Sequence, residues 1–343
     1  MTADLLKGPA AEEALRNYFL SIGYFVSRGC KFRYGQFDVT DVDLWLYVRN
    51  SPLSRERVNV DIKNKKTPQA LERIFWAKGL QSVLELDACI VATTDIRSDV
   101  REFGLKHQVK VLDGRFLGRL TRSERSHQER ITEEQLFSEL EQASLGKLGG
   151  DWKGRYEASK SRLLDSLTFD GCNVWLEDIE YFLKQVGGTR ASSATSWRMT
   201  YIAIAYLLIA VDFILREHVS AEQEQRRQLL DSGFRYGTAG KLLTEKVGRM
   251  AAALVGSVVT ELGLAETIER AIQDQAAGVR ADLLADFFSK ANVQSALFDM
   301  AVEFETAAFT PVLVTPSNLS TSVQSTLGIM SDFFELDRKL ILA

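Results

Sequence analysis

DVDLWLYVRNSPLSRERVNVDIKNKK, Asp41 to Lys66, reads as two apolar runs around a polar, proline-containing connection. Runs rich in Val, Leu and aromatics on either side of such a connection predict a β-hairpin: DVDLWLYVRN leads in, SPLSRER turns and VNVDIKNKK returns. Side chains two apart on a strand share a face. Asp61 and Lys63 therefore project together, while Ile62 points the other way, with Val58 and Val60, into apolar surroundings. Once the hairpin pairs, Asp43 lies across from Asp61. Asp41 shares the face of Asp43 and takes its place if the register is one pair off. Two carboxylates and a lysine on one face suit metal-assisted hydrolysis, and strands this apolar are expected to be buried, where ions need a partner or a metal. The plainer alternative is an exposed ion pair, which is what most D-x-K triplets are.

Working outward, GPAAEEALRNYFLSIGYFV places Ala11, Leu15, Tyr18, Phe19 and Ile22 at helical spacing, with Gly23 set to end the helix and Tyr24, Phe25 and Val26 opening a strand. Glu12 falls on the inward side of this helix. Glu13, turned about 100° away, is expected in solvent. Downstream, TPQALERIFWAKGLQSVLEL is an amphipathic helix, Asp87 to Thr94 a buried strand, SDVREFGLKHQ a helix, and VKVLDGRFL a strand, a turn and a return.

The order helix, three strands, helix, strand, helix, strand resembles that of the restriction-endonuclease-like PD-(D/E)XK nuclease superfamily, above all its Mrr-like type IV restriction enzymes and archaeal Holliday-junction resolvases. The resemblance covers residues 5 to 120, roughly. It rests on Glu12 eleven residues before Gly23-Tyr24, on V-D-L at Val42 to Leu44, on V-D-I-K at Val60 to Lys63, and on I-V-A-T-T followed by V-L-D-G. One departure is Asp61, where many relatives carry Glu; the shorter side chain shifts the metal slightly. The resemblance implies a mixed α/β sheet core flanked by helices and a metal-dependent endonuclease of restriction or phage-defence type. Glu12, Asp43, Asp61 and Lys63 become the catalytic residues. Asp43, Asp61, the backbone carbonyl of Ile62 and Glu12 become the ligands of Mg²⁺ or Mn²⁺, hard cations that select oxygen. Lys65, Lys66, Arg73 and Lys78 are candidates for nucleic-acid phosphate contacts, DNA before RNA. For Arg73 and Lys78 a solvated helix face is an equal alternative. The competing class is a non-catalytic nucleic-acid-binding or assembly protein on the same core. The presence of all four motif residues favours the enzyme.

A chain of 343 residues with 45% hydrophobic and 26% charged residues is expected to form about two ordinary globular domains. Net charge is −4, which excludes a basic nucleic-acid coat. The first 130 residues nonetheless hold 22 Lys and Arg against 17 Asp and Glu, and a basic part of this kind suits a phosphate-backbone binder. Cys30, Cys89 and Cys172 have neither zinc nor disulfide spacing, and the start, MTADLLKGPAAEE, has no apolar signal core; both fit the cytoplasm. The charged stretch 121–135 reads as a linker or an exposed helix start, and with the glycine-rich 144–155 it suggests a linker over 121–150. Helical periodicity dominates from 151 to 343, predicting an all-α domain for recognition, regulation or oligomerisation, with a homo-oligomer or a partner protein expected. Expected helices lie near 155–168, 174–187, 195–218, 221–232, 238–262, 264–275, 279–309 with a break near Ala291-Asn292, and 318–341. Tyr201 to Phe213 is apolar apart from Asp212, shorter than the roughly 20 residues of a membrane span. It is expected to be a central buried helix, with membrane insertion as the alternative.

Overall fold

Five strands pair in sequence order: β1 (Phe25–Tyr34), β2 (Phe37–Ser51), β3 (Ser54–Lys63), β4 (Ala88–Thr93) and β5 (Lys110–Leu112). The first three run antiparallel, and β3, β4 and β5 are parallel. The structure is a computed structural model that describes residues 7–64, 69–122, 130–144, 150–186, 190–258 and 264–342. Strand alternation divides the central sheet into two apolar faces. Leu44, Leu46, Val58, Val60, Ile62, Ile90 and Ala92 form one, packed with Leu15 and Phe19 of α1 (Lys7–Ser21). Cys89 and Val91 form the other, packed with Ala70, Ile74 and Ala77 of α2 (Ala70–Val83) and Val100 of α3 (Ser98–Lys106). The fold is thus mixed α/β, with both faces of the sheet covered.

The hairpin turn is tighter than expected. Ser54 to Arg57, read as connection, belong to β3. The Arg55 guanidinium donates to the carbonyls of Ser51 (2.8 Å) and Pro52 (3.1 Å), closing the chain around Pro52-Leu53. The segment after β5 does not return as a strand. It forms α4 (Gly114–Arg122), because the Asp113 carboxylate accepts the Phe116 N–H (2.9 Å) and nucleates the first turn. Phe116, Leu117 and Leu120 then pack on the α1 side of the sheet.

The rest of the chain is helical among the described residues: α5 (Glu133–Ala143), α6 (Trp152–Asp165), α7 (Phe169–Leu183), α8 (Arg190–Leu215), α9 (Gln223–Tyr236), α10 (Gly240–Val258), α11 (Leu264–Gly278), α12 (Ala281–Phe288), α13 (Ala291–Ala308), α14 (Thr321–Phe333) and α15 (Arg338–Ile341). The expected linker thus contains α5, which opens on a capping box between Thr132 and Gln135. The chain divides into two compact units. One comprises Met1–Ser166, Gln185–Ile202 and Glu305–Leu313, and the other Leu167–Lys184, Ala203–Phe304 and Val314–Ala343. The first unit therefore extends well past residue 120. The second is helical, with Phe234 ringed by Phe169 and Phe288 at centroid distances of 5.7 and 6.1 Å. Gly233 is required there, since a Cβ would lie 2.3 Å from the Phe169 ring. The apolar run of α8 is buried residue by residue from Tyr201 to Val211. It is long and apolar enough to cross a membrane, yet 89% of its most apolar window is covered by protein. The three cysteines are free and buried.

A buried ion network explains the size of the first unit. Arg16 on α1 reaches Glu305 on α13 (2.9 Å) and Glu133 on α5 (3.6 Å). Lys160 on α6 binds Glu133 (2.5 Å) and the Arg28 carbonyl of β1 (2.9 Å). Arg28 binds Glu13 (2.9 Å) and Glu134 (2.8 Å). Arg198 on α8 donates to the carbonyls of Ala308 (2.6 Å) and Thr310 (2.7 Å), closing the end of α13. Glu13, expected in solvent, is buried in this network, because α5 covers the flank of α1 that its own sequence leaves polar. Burial pulls the Arg16 guanidinium down, but Glu13, Glu305 and Glu133 more than reverse it and hold it above its ordinary value. Burial pushes Glu133 up, and Lys160 and Arg16 outweigh it, leaving the carboxyl low.

Removing one member strands the others in a dry interior. Glu133→Ala is expected to lower unfolding free energy by about 3–5 kcal/mol, read from urea melts. Lys184→Ala, which breaks the exposed Glu180 pair, should change it by less than about 0.5 kcal/mol. Because Glu133 is held low, its contribution is present above its unfolded pKa and lost as pH falls through the folded value. Equal effects of the two substitutions would refute the network's structural role.

Candidate active site

The β2–β3 ladder pairs Leu44 with Val60 and then opens. Beyond that pair the Asp43 carboxylate replaces a strand partner, its Oδ2 accepting the Ile62 N–H at 2.6 Å. N–H and C=O of one strand residue point to the same side, so the Ile62 carbonyl faces the same opening. On β1 the residue opposite Asp43 is Gly29, at φ +62°, a left-handed conformation suited to glycine; the β1–β2 register runs on unchanged across it, with Arg28 opposite Leu44 and Cys30 opposite Val42. The β2–β3 pair thus parts at Asp43.

Asp61 lies one residue beyond Val60, on the face it shares with Asn59 and Lys63. Parity puts Asp43, with Trp45, on that same face. Asp61 is nearly buried, and both its oxygens are taken by Arg73 of α2: Nε donates to Oδ2 at 2.8 Å and a terminal nitrogen binds Oδ1. Arg73 also lies 5.7 Å from the centre of the half-exposed Trp76 ring. Asn59 fixes α2 over this face by donating its Nδ2 to the Ala77 carbonyl (3.2 Å). The cross-strand pair Trp45–Asn59 leaves the buried Trp45 indole N–H and Asn59 Oδ1 without a protein partner, a donor and an acceptor suited to one bridging water.

Glu12 approaches from α1. Arg28 Nε holds its Oε2 at 2.7 Å, and its charge reaches Asp43. Burial, first, and then Glu12 push the Asp43 carboxyl up to about 6, against the pull of the Ile62 N–H, Lys63 and Arg73. Asp43 therefore faces Glu12, Lys63 and Arg73 electrostatically, and all four expected catalytic residues bear on one region of the sheet. They do not collapse into a cage: among the described residues no group of three or more His, Cys, Asp or Glu is gathered to hold a metal ion. The donor set of Asp43, Asp61 and the Ile62 carbonyl is all oxygen and fits a hard divalent cation.

Asp41 is exposed opposite Lys31 on β1, so the register needs no shift. Lys78 binds Gln81 of its own helix (2.9 Å), five residues beyond Arg73. Lys65 and Lys66 lie outside the described residues. Sequence reasoning missed Arg28, Gly29 and the Asp61 role of Arg73. A glycine inside a strand pattern was the available sign for Gly29; nothing local signals the two arginines' partners. Comparison with protein-family models, curated proteins and solved structures finds no match to this chain.

A carboxyl raised by folding binds its proton more tightly in the folded than in the unfolded chain. Its destabilising effect is absent below the unfolded pKa of about 4 and grows as pH rises through about 6. Asp43→Asn, which keeps an acceptor for the Ile62 N–H, should therefore stabilise the protein by about 1–3 kcal/mol at pH 8 and by almost nothing at pH 4. Urea melts at both pH values read the difference, and a carboxyl NMR titration of the wild type should give a midpoint near 6. A midpoint near 4 would contradict the burial of Asp43.

Proposed function

We propose that the chain is a metal-dependent nuclease on a restriction-endonuclease-like PD-(D/E)XK core, hydrolysing phosphodiester bonds in DNA in restriction or phage defence. One observation carries the reading. Asp43 leaves the ladder to bind the Ile62 amide, and so stands beside Asp61 and Lys63 on a single face at an opening in the sheet. A merely structural strand end has no need of two carboxylates on one face, one of them pushed up to about 6.

In this reading Asp43, Asp61 and the Ile62 carbonyl hold Mg²⁺ or Mn²⁺, with Glu12 behind Asp43. Bound there, the cation supplies charge neutralisation for the scissile phosphate and acidifies the attacking water. Lys63 places its ammonium on the same face, where it offsets the charge that develops on the phosphate oxygens. Arg28 orients Glu12. Association into a homo-oligomer has a surface available on α10: Leu243, Val247, Met250 and Leu254 are 49–68% exposed and follow one another at steps of four, three and four residues.

A second reading, a binding or assembly module without catalysis, is favoured by the arginines that already neutralise Glu12 and Asp61. Cleavage separates the two. Purified protein incubated with plasmid, linear DNA and RNA should cut DNA with Mg²⁺ or Mn²⁺ and not with EDTA. Lys63→Ala should slow cleavage by about 10²-fold or more, the scale for losing one preorganised electrostatic group, while binding changes little. If Lys63→Ala cuts as fast as the wild type, the catalytic assignment is wrong and the binding module is the better reading.

A further inference from the structure

Arg73 was expected at a phosphate, yet it grips Asp61, a proposed metal ligand. The grip is bidentate, which in a planar guanidinium engages both carboxylate oxygens at once. The pair is well shielded, with side-chain exposures of 19% and 11%, so solvent screening is weak. Ile74, next in sequence, and Ala77 bury α2 against the sheet face of Cys89 and Val91, the face that carries Asp61, so the helix holds Arg73 over Asp61. A divalent cation on the same oxygens would sit a few ångströms from the guanidinium, in like-charge contact. The two cannot share Asp61 without repulsion.

Resting on the nuclease reading, we propose that Arg73 is a built-in counter-ion that competes with the divalent cation for Asp61, so that cation affinity is set by release of Arg73. On release, the guanidinium has two resting places on the page. The Trp76 ring, already 5.7 Å away, offers a cation–π surface. A phosphate entering the cleft offers a bidentate anion of the same geometry as a carboxylate. A nucleic-acid backbone that draws Arg73 off Asp61 therefore opens Asp61 to the cation. Cation and substrate bind with positive coupling, and the coupling is reciprocal. Without substrate, the site neutralises its own acid and takes up metal weakly.

The test is Mn²⁺ binding to the full chain, followed by titration calorimetry in the absence of nucleic acid. Arg73→Ala should bind Mn²⁺ about tenfold or more tightly than the wild type, the lower range for a coupled pair of charges. Arg73→Gln, which keeps a donor for Asp61 and guards against an unfolded Ala variant, should bind more tightly as well. Arg73→Lys, which keeps the charge, should stay within a few-fold of the wild type. Asp61→Asn added to Arg73→Ala should remove the gain. Thermal melts confirm that each variant is folded. If folded Arg73→Ala and Arg73→Gln bind Mn²⁺ no more tightly than the wild type, the competition is refuted while the nuclease reading stands. If neither they nor the wild type bind Mn²⁺ at all, the competition fails together with the metal-dependent reading.

Discussion

Three buried cations, Arg16, Arg28 and Lys160, and the partly buried Arg130 set the terms for the first unit. A buried charge without a partner is too costly to keep. Their carboxylates come from distant places: Glu12 and Glu13 on α1, Glu133 and Glu134 on α5, Glu305 at the end of α13. Satisfying the cations forces these segments together, with separations in sequence of up to 289 residues. The Arg16 and Arg130 guanidiniums also lie over the Phe309 ring, at 4.0 and 5.0 Å from its centre. Apolar packing alone could trade one helix for another of similar volume. A charge network of this kind accepts only the arrangement in which every acid meets a base.

The network ends at the candidate site. Lys160 holds the Arg28 carbonyl at the point where β1 bends through Gly29, and the Arg28 side chain holds Glu12. Glu12 in turn bears on Asp43. An arrangement that looks like bulk stabilisation thereby fixes the approach of the first acidic residue to the sheet. The local cost is visible at Asp43. It gives up water, faces another carboxylate, and gains one backbone hydrogen bond in return. Such a residue lowers stability at neutral pH, and chains commonly concede stability of this kind where a site is kept for a ligand.

The sheet was legible because its signal is local. Alternation in Asp41 to Lys66 fixes which residues share a face, and that parity places Asp43 and Asp61 together before any tertiary contact is known. The helices from α6 onward were likewise legible from periodicity, and the break near Ala291 appears at Ser289-Lys290, but the helix expected over 318–341 is split into Thr321–Phe333 and Arg338–Ile341. What failed was whatever depends on a distant partner. A helical wheel gives the angle between Glu12 and Glu13, but not the fact that α5 arrives to cover the Glu13 side. TRSERSHQERITEEQ reads as a linker or an exposed helix start; α5 does start within it at Glu133, but composition cannot show that Glu133 is buried against Lys160, Tyr156 and Arg16. The return after VLD was misread because one side chain, Asp113, caps a helix where a glycine suggested a turn.

The same asymmetry between local and distant partners bears on where a cation has most to gain. Glu133 and Glu134 are held low by arginine or lysine beside them, and Asp61 is sealed by Arg73. Asp43 rests on an amide, with Lys63 and Arg73 acting on it through space, and it is pushed up instead. A new positive charge brought near Glu133 gains little, because that acid is already matched. Beside Asp43 it replaces a proton that the carboxyl would otherwise take up near pH 6. Among the described carboxyls of the first unit, Asp43 is the one that burial and a neighbouring carboxylate push up, and in the proposed reading Asp61 becomes the second oxygen donor when an anion draws Arg73 away.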